Sequence, residues 1–307
     1  MQGFRDNVGS PRGASIVHFS AFAFIALLIG GTGTGFAGIF VRLTDVSPLA
    51  SAFWRMALAA PMLWIWALSV RKRDIASRLR VDYSRILLLC GAFFAGDIGV
   101  MHLALHYTSV SNATLLPNFA PVLIALWMWA MYRVRFSRIF LTGMAIALGG
   151  AILVVLPGML HAGAGNHRMV GDGLGLLSAV FYAGYQLVIK QARDTYSAAL
   201  LMAWSTTITG LVLLPFALFS GGPMLPAQTL GWLPLLGLAL IAQIGGQTVI
   251  SYASAHLPAS LSSVSLLIQP LVATIAAWLI FSESVGPLQL IGGLMLLGGI
   301  YLSRRGS

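Results

Sequence analysis

Stretches of eighteen or more mostly apolar residues recur along this chain, beginning with FSAFAFIALLIGGTGTGFAGIFV at residues 19–41. A helix of about 20 such residues crosses a hydrocarbon layer roughly 30 Å thick. Inside that layer every backbone polar group must be satisfied within the protein, which leaves helices or closed barrels. The period-2 alternation of barrel strands is absent. The chain therefore reads as an all-α membrane protein with ten transmembrane helices, over residues 17–41, 48–70, 86–106, 110–132, 138–157, 171–189, 197–219, 229–250, 258–281 and 286–303. Charge agrees: only 8% of the 307 residues are charged, where a soluble domain carries about a quarter.

A net charge of +10 could suit nucleic acid, but the positive residues gather at the ends of apolar segments. That placement orients a chain in a bilayer. Fifteen lysines and arginines, among them the RKR of 71–73 and Arg133, Arg135 and Arg138, fall on one side, against Arg42 and Arg168 on the other. Both termini are expected in the cytoplasm, in a cell (inner) membrane. The apolar run after the polar Met1–Ser15 is too long for a signal-peptide core and reads as a retained first span. A lone cysteine, Cys90, excludes an intramolecular disulfide and a thiolate metal cluster.

The longest outer loop, residues 157–171, divides ten spans into two halves of five, 17–157 and 171–303. The halves repeat. An offset of 149 residues superposes Pro121 on Pro270, Trp129 on Trp278, Gly143 on Gly292 and the LGG of 148–150 on that of 297–299. An odd number of spans per half inverts the second relative to the first. Inverted repeats characterise secondary transporters, whose substrate site lies between the halves near the midplane.

Polar side chains recur at helical spacing in otherwise oily spans: Ser111, Thr114 and Asn118; Tyr182 and Gln186; Gln243 and Gln247; Ser262, Ser265 and Gln269. Each stripe alone could be interhelical hydrogen bonding, but four of them suggest a shared polar cavity lined also by Asn112 and His102. Spans 5 and 10 are oily and glycine-rich, suited to peripheral packing or a homodimer contact. The GTGFAG of 33–38 matches a dinucleotide fingerprint in letters only, because no strand precedes it. Its small residues, Gly31 and Gly35 among them, suit close helix approach. Pro117, Pro121 and Pro270 are expected to kink their spans. No catalytic constellation, cofactor motif or third metal ligand beside His102 and His106 is visible, so neither enzyme activity, cofactor nor metal is expected. A sensor would need an output domain for which the tails are too short.

Asp97 is the most demanding residue. It lies about 17 Å into span 3, close to the midplane. Arg55 reaches a similar depth from the other surface, roughly 10 Å into span 2. An intramembrane charge is costly and marks a functional site with a partner, so an Asp97–Arg55 pair that opens for substrate or a proton is expected.

These features together resemble the drug/metabolite transporter superfamily, specifically its EamA-type permeases. The likeness is most specific in FFAGDIGVMHLALHYTSVSNATLLPNFAPVLIAL, residues 93–126, and in LPASLSSVSLLIQPLVATIAAWLIFSES, residues 257–284, where Glu283 takes the acidic position after span 9. The resemblance implies a permease for small metabolites, working outward by alternating access, with the bilayer and a small-molecule substrate as partners.

Overall fold

The computed structural model describes residues 21–70, 84–104, 107, 116–161, 168–282 and 284–307, and among them there is no strand. Seven helical stretches are long and apolar enough to cross a membrane, and Leu116–Tyr132 is a shorter apolar one. The protein is a multi-pass membrane protein.

Among the described residues thirteen α-helices follow in chain order. They are α1 (Ala21–Gly35), α2 (Ala37–Leu43), α3 (Pro48–Val70), α4 (Ser84–Ala104), α5 (Ala120–Tyr132), α6 (Arg138–His161) and α7 (Arg168–Ala192). After them come α8 (Ala198–Phe219), α9 (Trp232–Gly237), α10 (Thr248–Ser254), α11 (Ala259–Ser265), α12 (Ile268–Phe281) and α13 (Pro287–Arg305). Pro61, Pro157 and Pro215 lie inside helices that continue through them.

Four predicted spans are not uniform helices. The first breaks at Phe36, between α1 and α2. The eighth runs as α9, then a π-helix over Leu238–Gln247, then α10. The ninth is interrupted at Leu266 and Leu267, so α12 begins inside the apolar layer with Gln269 and Pro270 in its first turn. A short 3₁₀ turn, Leu116–Phe119, likewise precedes α5, with Pro121 at its start. The prolines thus mark starts of helices rather than kinks within them, as suits a residue without a backbone N–H.

Small residues decide which helices touch. A side chain at Gly30 would strike the Gly246 carbonyl of the π segment at 2.8 Å, and one at Gly35 would strike Val272 of α12 at 2.9 Å. The close-approach role expected for the span 1 glycines holds, and the whole GTGFAG motif lies in helix apart from its break at Phe36. On the periphery α6 and α13 pack on each other: Gly143 abuts Gly299, and Gly150 abuts Gly292. Their outer residues, such as Ile139, Leu290, Leu294 and Leu297, are exposed on the outside of the bundle.

Candidate functional site

Two glycines bring α4 and α7 together at the level of Asp97. A side chain at Gly96 would overlap the Phe181 ring, and one at Gly184 would overlap Phe93. The close approach lets Ser178 Oγ donate to Asp97 Oδ1 at 2.6 Å, with both residues buried. One helical turn further, Phe94 stacks on Tyr185 with centroids 4.5 Å apart and planes at 14°.

Arg55 enters the same region from α3, with its guanidinium carbon 5.8 Å from the Phe94 ring centre. Its Nε donates to Gln243 Oε1 at 3.0 Å, and Gln243 Nε2 donates to Thr206 Oγ1 at 2.9 Å. Gln243 and Thr206 are fully buried, whereas Arg55 is half-buried. The π geometry of 238–247 is part of this arrangement, since π segments in α-helices cluster at functional positions.

The expected Asp97–Arg55 contact is not made. Among the described residues no ion pair joins them; Asp97 turns to Ser178 and Arg55 to Gln243. Their similar depth was readable from the sequence, but the rotation of each helix decides which neighbour a side chain meets.

Tyr182 and Gln269 are brought together: Gln269 Nε2 donates to the Tyr182 hydroxyl at 3.4 Å, linking α7 to the start of α12. Gln186, which spacing placed beside Tyr182, keeps its buried Nε2 without a hydrogen-bond partner. The Tyr185 hydroxyl and Ser205 Oγ are also buried without a partner in hydrogen-bonding geometry, although Gln247 and Ser205 lie near enough to act on Tyr185. Gln247 is buried. Asn118 lies in the 3₁₀ turn before α5, half-buried. Ser262 and Ser265 are buried on α11, but Ser265 Oγ is spent on the Leu261 carbonyl at 2.8 Å. Asn112, Thr114, Ser111, His106, Glu283 and the side chain of His102 lie outside the described residues.

Sequence reasoning missed Ser178, Thr206, Tyr185 and Ser205. One signal was available: Ser178 stands four residues before Tyr182 and eight before Gln186, on the same helical stripe. Hydroxyl residues are common in apolar helices, so nothing else set it apart.

The interior thus joins one carboxylate, one guanidinium and several amides and hydroxyls near the centre of an apolar bundle. Uncompensated polar groups at that depth are expensive, which suits a path that admits a polar solute better than a merely structural core.

Known proteins resemble this chain along most of its length. An uncharacterized transporter from Archaeoglobus fulgidus is 26% identical over 284 residues, covering 90% of this chain and 96% of its own. A probable terminal-alkyne amino-acid exporter from Streptantibioticus cattleyicolor is 27% identical, covering 93% of this chain and 89% of its own. The pseudopaline exporter CntI from Pseudomonas aeruginosa is 25% identical, covering 82% and 84%. A solved crystal structure shares the fold with a TM-score of 0.77 at 15% identity, covering 92% of this chain and 97% of that one. The EamA-like transporter family matches twice, over residues 21–156 and again over 169–305, and between them the two matches take in nearly the whole chain. The chain is a transporter, a member of the EamA-like transporter family.

Proposed function

We propose that this transporter is a secondary active permease that exports amino-acid-like or other small polar or amphipathic metabolites across the cytoplasmic membrane by alternating access, with a proton handled at Asp97. The observation that carries the reading is the separation of Asp97 and Arg55 at the centre of the bundle. Each is held by a neutral partner, Ser178 or Gln243, so each charge is available to a solute. Two of the relatives are named exporters, one of them for an amino acid. His102, Asn112, Thr114, Asn118, Tyr182, Gln186, Gln247 and Gln269 complete the proposed path.

The ten-span, inverted-repeat layout belongs to the same proposal. Packing supports it. If residues 143 and 150 have 292 and 299 as their mates, the Gly143–Gly299 contact is the image of Gly150–Gly292. A homodimer through spans 5 and 10 would have to use their outward faces, since the glycine faces are taken within the chain.

Transport tests the function directly. Purified protein in proteoliposomes with an imposed pH gradient should move at least one member of a labelled L-α-amino acid panel faster than empty vesicles do. No gradient-dependent flux for any member would remove the amino-acid reading. Topology has its own test. Reporters fused after Arg80 and after Arg138 should read cytoplasmic, and one within residues 160–168 external, because fifteen positive residues against two set the orientation. An external signal after Arg80 would contradict it.

A further inference from the structure

We infer that Arg55 is the carboxylate-binding subsite of the substrate path, held in orientation by Gln243 and Thr206. This deepens the proposed export of amino-acid-like compounds and rests on it. An arginine has five N–H donors in a planar fork. Here Nε is used by Gln243, which leaves the outer edge between the two terminal nitrogens. Gln243 cannot turn freely, because it is fully buried and its own amide is fixed on Thr206 at 2.9 Å. The chain Thr206–Gln243–Arg55 therefore sets the plane of the guanidinium before any ligand arrives.

The remaining donors, at Nη1 and Nη2, make no ion pair among the described residues, and Asp97 is engaged with Ser178 instead. A planar fork with two parallel free donors matches a carboxylate in bidentate fashion, which a lysine ammonium cannot do. Phe94, whose ring centre lies 5.8 Å from the guanidinium carbon, and the stacked Tyr185 are its aromatic neighbours. The Tyr185 hydroxyl is fully buried and lacks a partner in hydrogen-bonding geometry. A ligand carrying a carboxylate would complete all of these groups at once, and its amine would be drawn toward Asp97.

The test uses the full-length purified protein and thermal unfolding. The probes are L-leucine, L-methionine, L-phenylalanine and L-glutamine, each beside its own carboxamide, which keeps the amine and side chain but removes the anion. At least one acid is expected to raise the unfolding temperature, with an apparent affinity at least about tenfold above that of its amide. Arg55→Lys, which keeps the charge and loses the fork, should abolish this acid-over-amide preference. Gln243→Met should weaken it, and the acid-over-amide ratio, read against each variant's own ligand-free unfolding temperature, separates positioning from folding. Equal stabilisation by acid and amide, an undiminished preference in Arg55→Lys, or no shift from any acid would overturn the subsite. Proteoliposome flux that persists for the amides but ignores the acids would sink the carboxylate subsite while leaving the transporter reading intact.

Discussion

Asp97→Asn is expected to insert and fold, and to lose gradient-driven transport by about tenfold or more, equivalent to about 1.4 kcal/mol in the limiting step. Folding should survive because the substitution keeps an acceptor oxygen for Ser178, which now donates to Asp97 Oδ1 at 2.6 Å. The two side chains are nearly equal in volume, so the Gly96–Phe181 and Gly184–Phe93 contacts need not shift. What disappears is the capacity to carry a charge and to exchange it for a proton. A carboxylate buried in an apolar bundle holds its charge only while something compensates it, and here Arg55 has turned to Gln243. In the proposed cycle a solute and a proton alternate at Asp97, which would couple the two sides of the membrane. Downhill exchange of substrate should suffer less than uphill movement, because binding groups other than Asp97 remain. The measurement is flux with and without a pH gradient, normalised to folded protein. Full gradient-driven activity in the variant would reduce Asp97 to a buried anchor for Ser178.

Gly299→Val should cost most of the folded protein. In α13, a β-carbon at this position would collide with the backbone nitrogen of Ala147 and sit 2.6 Å from the Gly143 carbonyl. These are backbone atoms of α6, so no side chain can swing aside. Overpacking of a tight core typically costs about 1–3 kcal/mol and occasionally more, and backbone-on-backbone contact belongs at the upper end. The loss also propagates, because association of helices in lipid rests on close van der Waals packing of this kind. Gly298→Val is the matched control, since nothing lies within 4 Å of a β-carbon there. The yield of monodisperse protein and its unfolding temperature should fall sharply for position 299 and barely change for position 298. Equal behaviour of the two would mean that α6 and α13 do not pack through their glycines.

The membrane-spanning helices were readable because their apolar residues run uninterrupted for the thickness of a bilayer, a constraint that few soluble elements satisfy. The pairing of α6 with α13 was half readable: glycine content announced a close helix contact, but not that each helix is the other's partner. Asp97 announced itself by being charged in oil, and its depth followed from counting residues. Its partner did not follow, because two side chains at equal depth meet only if their helices are rotated toward one another. Gly96 and Gly184 fix that rotation toward Ser178 through contacts between distant segments. Local conformation was the least legible. Nothing in LALIAQIGGQ distinguishes a π-helix from an α-helix, since both satisfy the backbone and the choice is made by how Gly246 lies against Gly30 and Thr34. The break at Leu266 and Leu267 was signalled only indirectly, by Pro270 three residues on.

The central claim is that the buried polar groups line one path used by the substrate. Single cysteines at Gln186, Gln247 and Gln269, in a Cys90-free background, test it most directly when challenged with a membrane-impermeant, water-soluble thiol reagent. All three positions are buried or half-buried, whereas Leu294 and Leu297 are exposed on the outside of the bundle. The account predicts that the three interior cysteines react, that an amino acid transported by the proteoliposomes slows their reaction, and that cysteines at Leu294 and Leu297 stay unreactive. Equal labelling of the two sets, or interior labelling that no transported solute slows, would contradict it.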